Sequence, residues 1–119
     1  HLTDPVAALR ELRRVTRPGG TIAIRDSDYA GFIWSPAEPT LDEWLDLYHR
    51  LTRHNGAEAD AGRSLHRWAR EAGFTDVTVS SSTWTSRTRP NDTMSRLNPG
   101  YFTCLRWALM SSEVTASSL

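Results

Sequence analysis

Three neighbouring residues carry groups able to do acid–base or hydrogen-bonding chemistry: Asp26, Asp28 and Tyr29. Two carboxylates two residues apart, with a phenol beside them, can bind a polar substrate or take a proton from it. The same residues also suit an Asp-rich turn whose carboxylates cap backbone N–H groups. Phe32-Ile33-Trp34 follows between Gly31 and Pro36. Such an aromatic run can close over an apolar ligand as a lid, or pack its own loop onto the core. Arg63 can face an acidic group of a ligand or pair with a carboxylate of the chain. His49, His54 and His66 include no i, i+4 pair on one helix, and Cys104 is the single cysteine, so no metal site is expected. Trp44, Tyr48 and Trp68 fall at helical spacing and read as core. No nucleophile–base arrangement of the Ser/His/Asp kind is legible.

The elements that must position these groups are well punctuated. Asp4 is a good N-cap and Pro5 suits the first helical position. Val6, Ala8, Leu9, Leu12 and Val15 make one apolar stripe, and Pro18-Gly19-Gly20 ends the helix. Thr21-Ile22-Ala23-Ile24 then reads as a short strand buried on both faces, as in a parallel sheet. Asp26 to Pro39 reads as irregular. Thr40-Leu41-Asp42-Glu43 has the form of a capping box, opening a helix that buries Leu41, Trp44, Leu45, Tyr48 and Leu51 and stops at Asn55-Gly56. A third helix is expected from about 60 to 72, ending at Gly73. Val77-Thr78-Val79 begins a strand that can run on to Trp84 and Thr85. Residues 86–99 show no period, 100–110 can form a last strand or a short helix, and 111–119 read as a fraying tail.

With 119 residues the chain makes one small domain. Hydrophobic content of 39% and charged content of 24% fit a soluble globular protein, well away from disorder. Fourteen basic residues, all Arg, balance fourteen acidic ones. That balance leaves no basic field for nucleic acid or an anionic membrane. No apolar run is long enough for a membrane span or a secretory leader, and the lone cysteine suits a cytoplasmic setting.

His1-Leu2-Thr3-Asp4-Pro5, the helix through Arg14-Val15, and Arg17-Pro18-Gly19-Gly20-Thr21-Ile22-Ala23-Ile24, in that order, are distinctive. Glu71-Ala72-Gly73-Phe74-Thr75-Asp76-Val77 adds a second match at fitting spacing. Together they resemble the second half of class I S-adenosylmethionine-dependent methyltransferases, nearest to the quinone-biosynthesis type and its small-molecule relatives. The resemblance covers residues 1–85 and leaves 86–119 as a divergent tail. It implies an α/β fold, the second half of a Rossmann-like sheet (helix–strand–helices–strand), incomplete at the N-terminus and closed by a final antiparallel strand near 100–110. It also implies methyl transfer from S-adenosylmethionine to a small organic acceptor.

On that resemblance His1 falls where the loop after strand four passes the cofactor, and Asp26, Asp28, Tyr29 and Trp34 fall on the acceptor side. The glycine-rich cofactor loop and the ribose-binding acid of the family precede the matched region. This sequence holds no G-x-G-x-x-G pattern to replace them. The isolated chain is therefore expected to be inactive, a fragment of a longer enzyme, and prone to self-associate through an exposed sheet edge. The rival reading is a non-catalytic α/β piece that packs on a partner.

Overall fold

The computed structural model describes residues 1–87 and 106–117. Helix α1 (Pro5–Val15) leads into strand β1 (Thr21–Ser35). Helices α2 (Pro39–His54) and α3 (Ala61–Glu71) follow, then strands β2 (Asp76–Arg87) and β3 (Arg106–Ser117). The fold is α/β, and the order helix–strand–helices–strand is the one expected.

The helix boundaries follow local chemistry. Asp4 Oδ1 accepts from the Ala7 N–H at 2.8 Å, satisfying one of the four N–H groups that a helix start leaves unpaired. After α1, the Gly20 N–H donates to the Arg17 carbonyl at 2.8 Å, with Pro18 and left-handed Gly19 in the middle of the turn. That is the residue pattern of a type II turn. Helices α2 and α3 both end in Schellman motifs. In α3 the Gly73 N–H donates to Arg70 O and the Phe74 N–H to Ala69 O, with Gly73 at φ +94. In α2, Gly56 and Ala57 donate to Arg53 O and Thr52 O in the same way. The expected capping box of α2 does not form. The helix begins one residue earlier, at Pro39, and Glu38 is its N-cap, its carboxylate accepting from the Thr40 N–H. Proline at the first helical position outcompetes Thr40 for the start.

The sheet has three strands in the order β1-β3-β2, and β3 pairs antiparallel with both neighbours. Strands β1 and β2 therefore run in the same direction, as the parallel-sheet pattern implies, but they are separated by β3 and do not pair. The final antiparallel strand expected near 100–110 lies at 106–117 instead, so 111–117 are in the central strand and do not fray. Residues 88–105 and 118–119, with Cys104, lie outside the described residues.

Register explains the burial. Ile22 lies opposite Ala116, which lies opposite Val77; Ile24 lies opposite Val114, which lies opposite Val79. Alternate residues share a face, so this row faces α1 and α3. There Leu9, Leu65, Ala69, Ala72, Phe74, Val114 and Ala116 form the core, with Val6, Ile22, Ile24, Trp68 and Val77 against it. The other face carries Thr21, Ala23, Arg25, Thr78, Glu113 and Thr115 and is exposed. The expectation that Thr21–Ile24 is buried on both faces is thus corrected: Ile22 and Ile24 are half-buried and Thr21 and Ala23 are exposed. An apolar tetrapeptide cannot report by itself which of its faces is covered.

The stretch from Asp26 onward is also corrected. It continues β1 to Ser35, and the pairing jumps from Asp28↔Met110 to Ile33↔Ala108. Four residues, Tyr29 to Phe32, thus face one residue of β3, an enlarged bulge that takes them off the ladder. Their backbone is held from outside the sheet: Tyr29 N–H donates to Ala59 O at 3.3 Å and Ala30 N–H to Asp60 Oδ1 at 2.7 Å. Close approach on this side requires Gly62, because a Cβ there would lie 3.0 Å from Asp26 O and 3.1 Å from the Ser27 carbonyl.

Candidate functional site

The bulge presents its aromatic side chains to α2. Trp44 and Tyr48, four residues apart, share one face of that helix. Tyr29 stacks on Tyr48 with ring centroids 4.3 Å apart and planes 29° apart. Trp44 stacks on Tyr48 from its own helix at 5.7 Å. Phe32 meets Trp44 edge-on at 6.0 Å and Trp34 at 5.8 Å. Trp44 and Tyr48 therefore belong to a satellite cluster outside the main core, with Trp44 43% exposed. Of the three tryptophan and tyrosine residues expected in the core from helical spacing, only Trp68 packs against it. Ile33 of the aromatic run points into solvent, while Phe32 and Trp34 are half-buried.

Beside this cluster an open polar cleft of about 410 Å³, counting the space open to solvent, is lined by His1, Asp26, Ser27, Tyr29, Tyr48, Thr52 and Glu58, with Ala57 and Ala59. Three of the residues singled out in the sequence, His1, Asp26 and Tyr29, thus meet in one place, and Tyr48, Thr52 and Glu58 join them. An apolar groove of about 530 Å³ between α1, α3 and β1 adjoins it, lined by Leu9, Leu12, Ile24, Leu65 and Trp68, and shares His1, Asp26 and Glu58. Trp34 lines neither cavity.

Asp28 has a different place. It is 6% exposed, and Arg63 grips it with Nε at 2.9 Å and Nη2 at 2.7 Å. A carboxylate held by a bidentate guanidinium has most of its acceptor capacity used. Of the two roles the sequence left open to Arg63, pairing within the chain is the one found, and the pairing raises the pKa of Arg63.

A second pair escaped sequence reasoning. The His49 Nε2–H donates to Asp60 Oδ1 at 3.0 Å, and its Nδ1–H to Leu45 O at 2.9 Å. Both neighbours are acceptors, so only the protonated ring satisfies both at once. The same Asp60 oxygen takes the Ala30 N–H, so one carboxylate ties α2, the bulge and the start of α3 together. The pair is eleven residues apart across a loop, a separation with no periodic signal. Its pKa values move oppositely. His49 is raised, chiefly by Asp60, against burial and the charge of Arg53. For Asp60 burial is the largest single influence and pushes upward. Hydrogen bonds from His49 and Ala30 and the charges of His49 and Arg63 outweigh it, and the net shift is downward.

The linkage has a definite sign. The raised His49 contributes stability fully below its unfolded value of 6.5, and loses it as pH rises through the folded value. The lowered Asp60 contributes stability above 3.8, and loses it as pH falls through its folded value. For this mostly buried pair the contribution is about 1 kcal/mol. Urea unfolding of the protein and of His49→Gln checks it. The gap between the two midpoints should be largest between those values and shrink on the alkaline side. A gap independent of pH would refute the pairing.

Tyr48 is pushed up to about 12, first by burial, then by a hydrogen bond and charge interaction with Tyr29 and by the Asp26 charge. It stays a neutral phenol at any physiological pH and cannot serve as a phenolate base. Among the described residues, Asp26 and Glu58 accept local backbone N–H groups, from Ser27 and Asp60 respectively. Neither forms an ion pair among the described residues. No group of three potential metal ligands occurs among the described residues. No helix among them is long and apolar enough to cross a membrane.

No family model matches the chain. Two curated proteins are similar to it. A Streptomyces fradiae protein, an uncharacterized 37.1 kDa product in a transposon, is 37% identical over 87 residues, covering 66% of this chain and 22% of its own length. The chain spans less than a third of the relatives it matches. Over 86 residues, 71% of its length, it is 42% identical to a Schizosaccharomyces pombe protein named an uncharacterized methyltransferase, of which it spans 31%.

Proposed function

We propose that the intact protein transfers a methyl group from S-adenosylmethionine to a small organic acceptor, and that this chain is the acceptor-side half of its Rossmann-like sheet. The observation that carries the reading is the 42% identity to a protein named a methyltransferase. The order α1–β1–α2–α3–β2–β3 and the bulged segment after β1 support it, because both fall where the resemblance expects a helix–strand unit and a lid-like segment. It favours catalysis over a purely packing role. On this reading the protein is cytoplasmic, of the class I and quinone-biosynthesis-like kind, and binds neither nucleic acid nor membranes.

The described residues do not cradle the cofactor by themselves. The turn from β1 into α2 is Pro36-Ala37-Glu38, without glycine, and the Glu38 carboxylate already accepts from Thr40. Two of the acidic residues here are engaged as well, Asp28 by Arg63 and Asp60 by His49 and Ala30. On this reading the cofactor is held mainly by other parts of the intact protein, with His1 beside it. What this chain supplies is the cleft: acceptors for hydrogen bonds at Asp26 and Glu58, an aromatic wall at Tyr29 and Tyr48, and partial exclusion of water. The edge of β1 away from β3, which lacks a strand among the described residues, is the seat for a neighbouring strand from the rest of the protein or from a second copy.

The test is calorimetric titration of the full-length protein with S-adenosylhomocysteine. Saturable binding in the micromolar range, with release of S-adenosylhomocysteine from S-adenosylmethionine when acceptor is added, is expected. Absence of any binding to either form of the cofactor would sink the reading.

A further inference from the structure

The polar cleft has a chemical bias that the methyltransferase reading alone does not predict. Its ionisable side chains are two carboxylates, Asp26 and Glu58, two phenols, Tyr29 and Tyr48, and His1. No arginine lines it among the described residues; Arg63, whose charge interacts with Glu58, is committed to Asp28. The two phenol oxygens keep lone pairs able to accept further bonds. Stacking of Tyr29, Tyr48 and Trp44 makes the wall stiff and apolar, which strengthens any charge interaction at the adjoining polar lining. An open cleft rich in acceptors, lined by two carboxylates and, among the described residues, by no arginine, favours a positively charged hydrogen-bond donor. It disfavours a carboxylate or phosphate.

We infer that this cleft binds the ammonium group of an amine-bearing ligand, with Asp26 and Glu58 as its counter-charges and the Tyr29–Tyr48 stack along its apolar part. Resting on the methyltransferase reading, that ligand is the methyl acceptor, and the substrate class is an aromatic or aliphatic amine. The adjoining groove lined by Leu9, Leu12, Leu65 and Trp68 receives the hydrocarbon part.

The experiment is isothermal titration of the full-length protein with benzylamine, benzyl alcohol and benzoate at neutral pH, with and without S-adenosylhomocysteine. Benzylamine, protonated under these conditions, should bind about tenfold more tightly than benzyl alcohol, with benzoate weakest. In the double variant Asp26→Asn, Glu58→Gln the preference should fall to about threefold or less. Each substituted side chain keeps the oxygen that accepts its backbone N–H, so the local fold is retained while the charge is removed. Near-ultraviolet circular dichroism of the aromatic cluster verifies that retention. Equal binding of amine and alcohol, a preference that survives the double variant, or no binding of any of the three overturns the inference. Failure of S-adenosylhomocysteine to bind would instead remove the methyltransferase reading, while the amine preference would still be read in its own titration.

Discussion

Replacing Phe74 by Ala should cost about 3–5 kcal/mol of stability. Phe74 is 2% exposed, one of the two largest fully buried side chains among the described residues, and it sits where α3 meets the sheet. Two separate constraints place it there. Gly73 turns the chain through a left-handed conformation that closes the Schellman motif, and the Phe74 N–H is itself the donor to Ala69 O. The side chain then joins the core cluster that includes Leu65, Ala69 and Ala72 from the helix side and Val114 and Ala116 of β3. Neighbouring side chains in a packed core relax only partly into such a space, so the cavity cost adds to the lost transfer energy. In urea, at a slope of about 1–2 kcal/mol per molar for a domain this size, the midpoint should fall by about 2 M or more. Phe74→Leu should lose about a third as much. Val15→Ala, at a residue 63% exposed, should change the midpoint hardly at all. A loss under 1 kcal/mol for Phe74→Ala would show that the core is not organised around this residue.

The Ala-Gly-Phe run shows what the sequence makes legible. A left-handed glycine after an apolar-periodic helix is a local signal, and a bulky apolar residue just beyond it must go inward. The same is true of Asp4-Pro5 and of Pro18-Gly19-Gly20, where backbone geometry and residue type agree within four positions. What stayed hidden depends on long-range pairing. The tail from Ser111 to Ser117 is small and polar, yet it is central, because Val114 and Ala116 have the right parity to face α3 while their neighbours are exposed. Parity over so few apolar residues is a weak signal until partners on both sides fix the register. The bulge likewise masks the period of β1, since four residues opposite one break any count of two. Of the site, the polar cluster Asp26–Tyr29 was visible as residue types. Which carboxylate faces the cleft and which is consumed by Arg63 was not, because Asp26 and Asp28 share one face of β1 and only the long-range placement of Arg63 on α3 tells them apart.

Arg63→Met should destabilise the protein by about 2 kcal/mol, the second largest effect foreseen for a single residue. The Asp28 side chain is 9% exposed and loses both hydrogen bonds from the guanidinium, whereas the Arg63 side chain is 54% exposed. Removing the exposed partner leaves a carboxylate in a site shaped to exclude water. Removing the buried charge, as in Asp28→Asn, leaves an amide oxygen to accept from an arginine that solvent already reaches, and should cost less, about 1 kcal/mol. The asymmetry is the diagnostic, since a surface ion pair would give small and equal losses. The double variant should be less destabilised than the sum by about 1 kcal/mol, measured as a coupling energy from urea midpoints. Because Asp28 immediately precedes the bulge, the arginine variant should also weaken the near-ultraviolet circular dichroism of the Tyr29–Tyr48–Trp44 stack. The asparagine variant, which keeps a hydrogen-bond acceptor for Arg63, should preserve most of that signal. Strictly additive losses with an unchanged aromatic signal would mean that the pair neither holds the bulge nor supports the cleft beside it. Coupled losses with a weakened signal would make Arg63 a positioning residue: it touches no ligand, yet it fixes the tyrosine that lines the cleft.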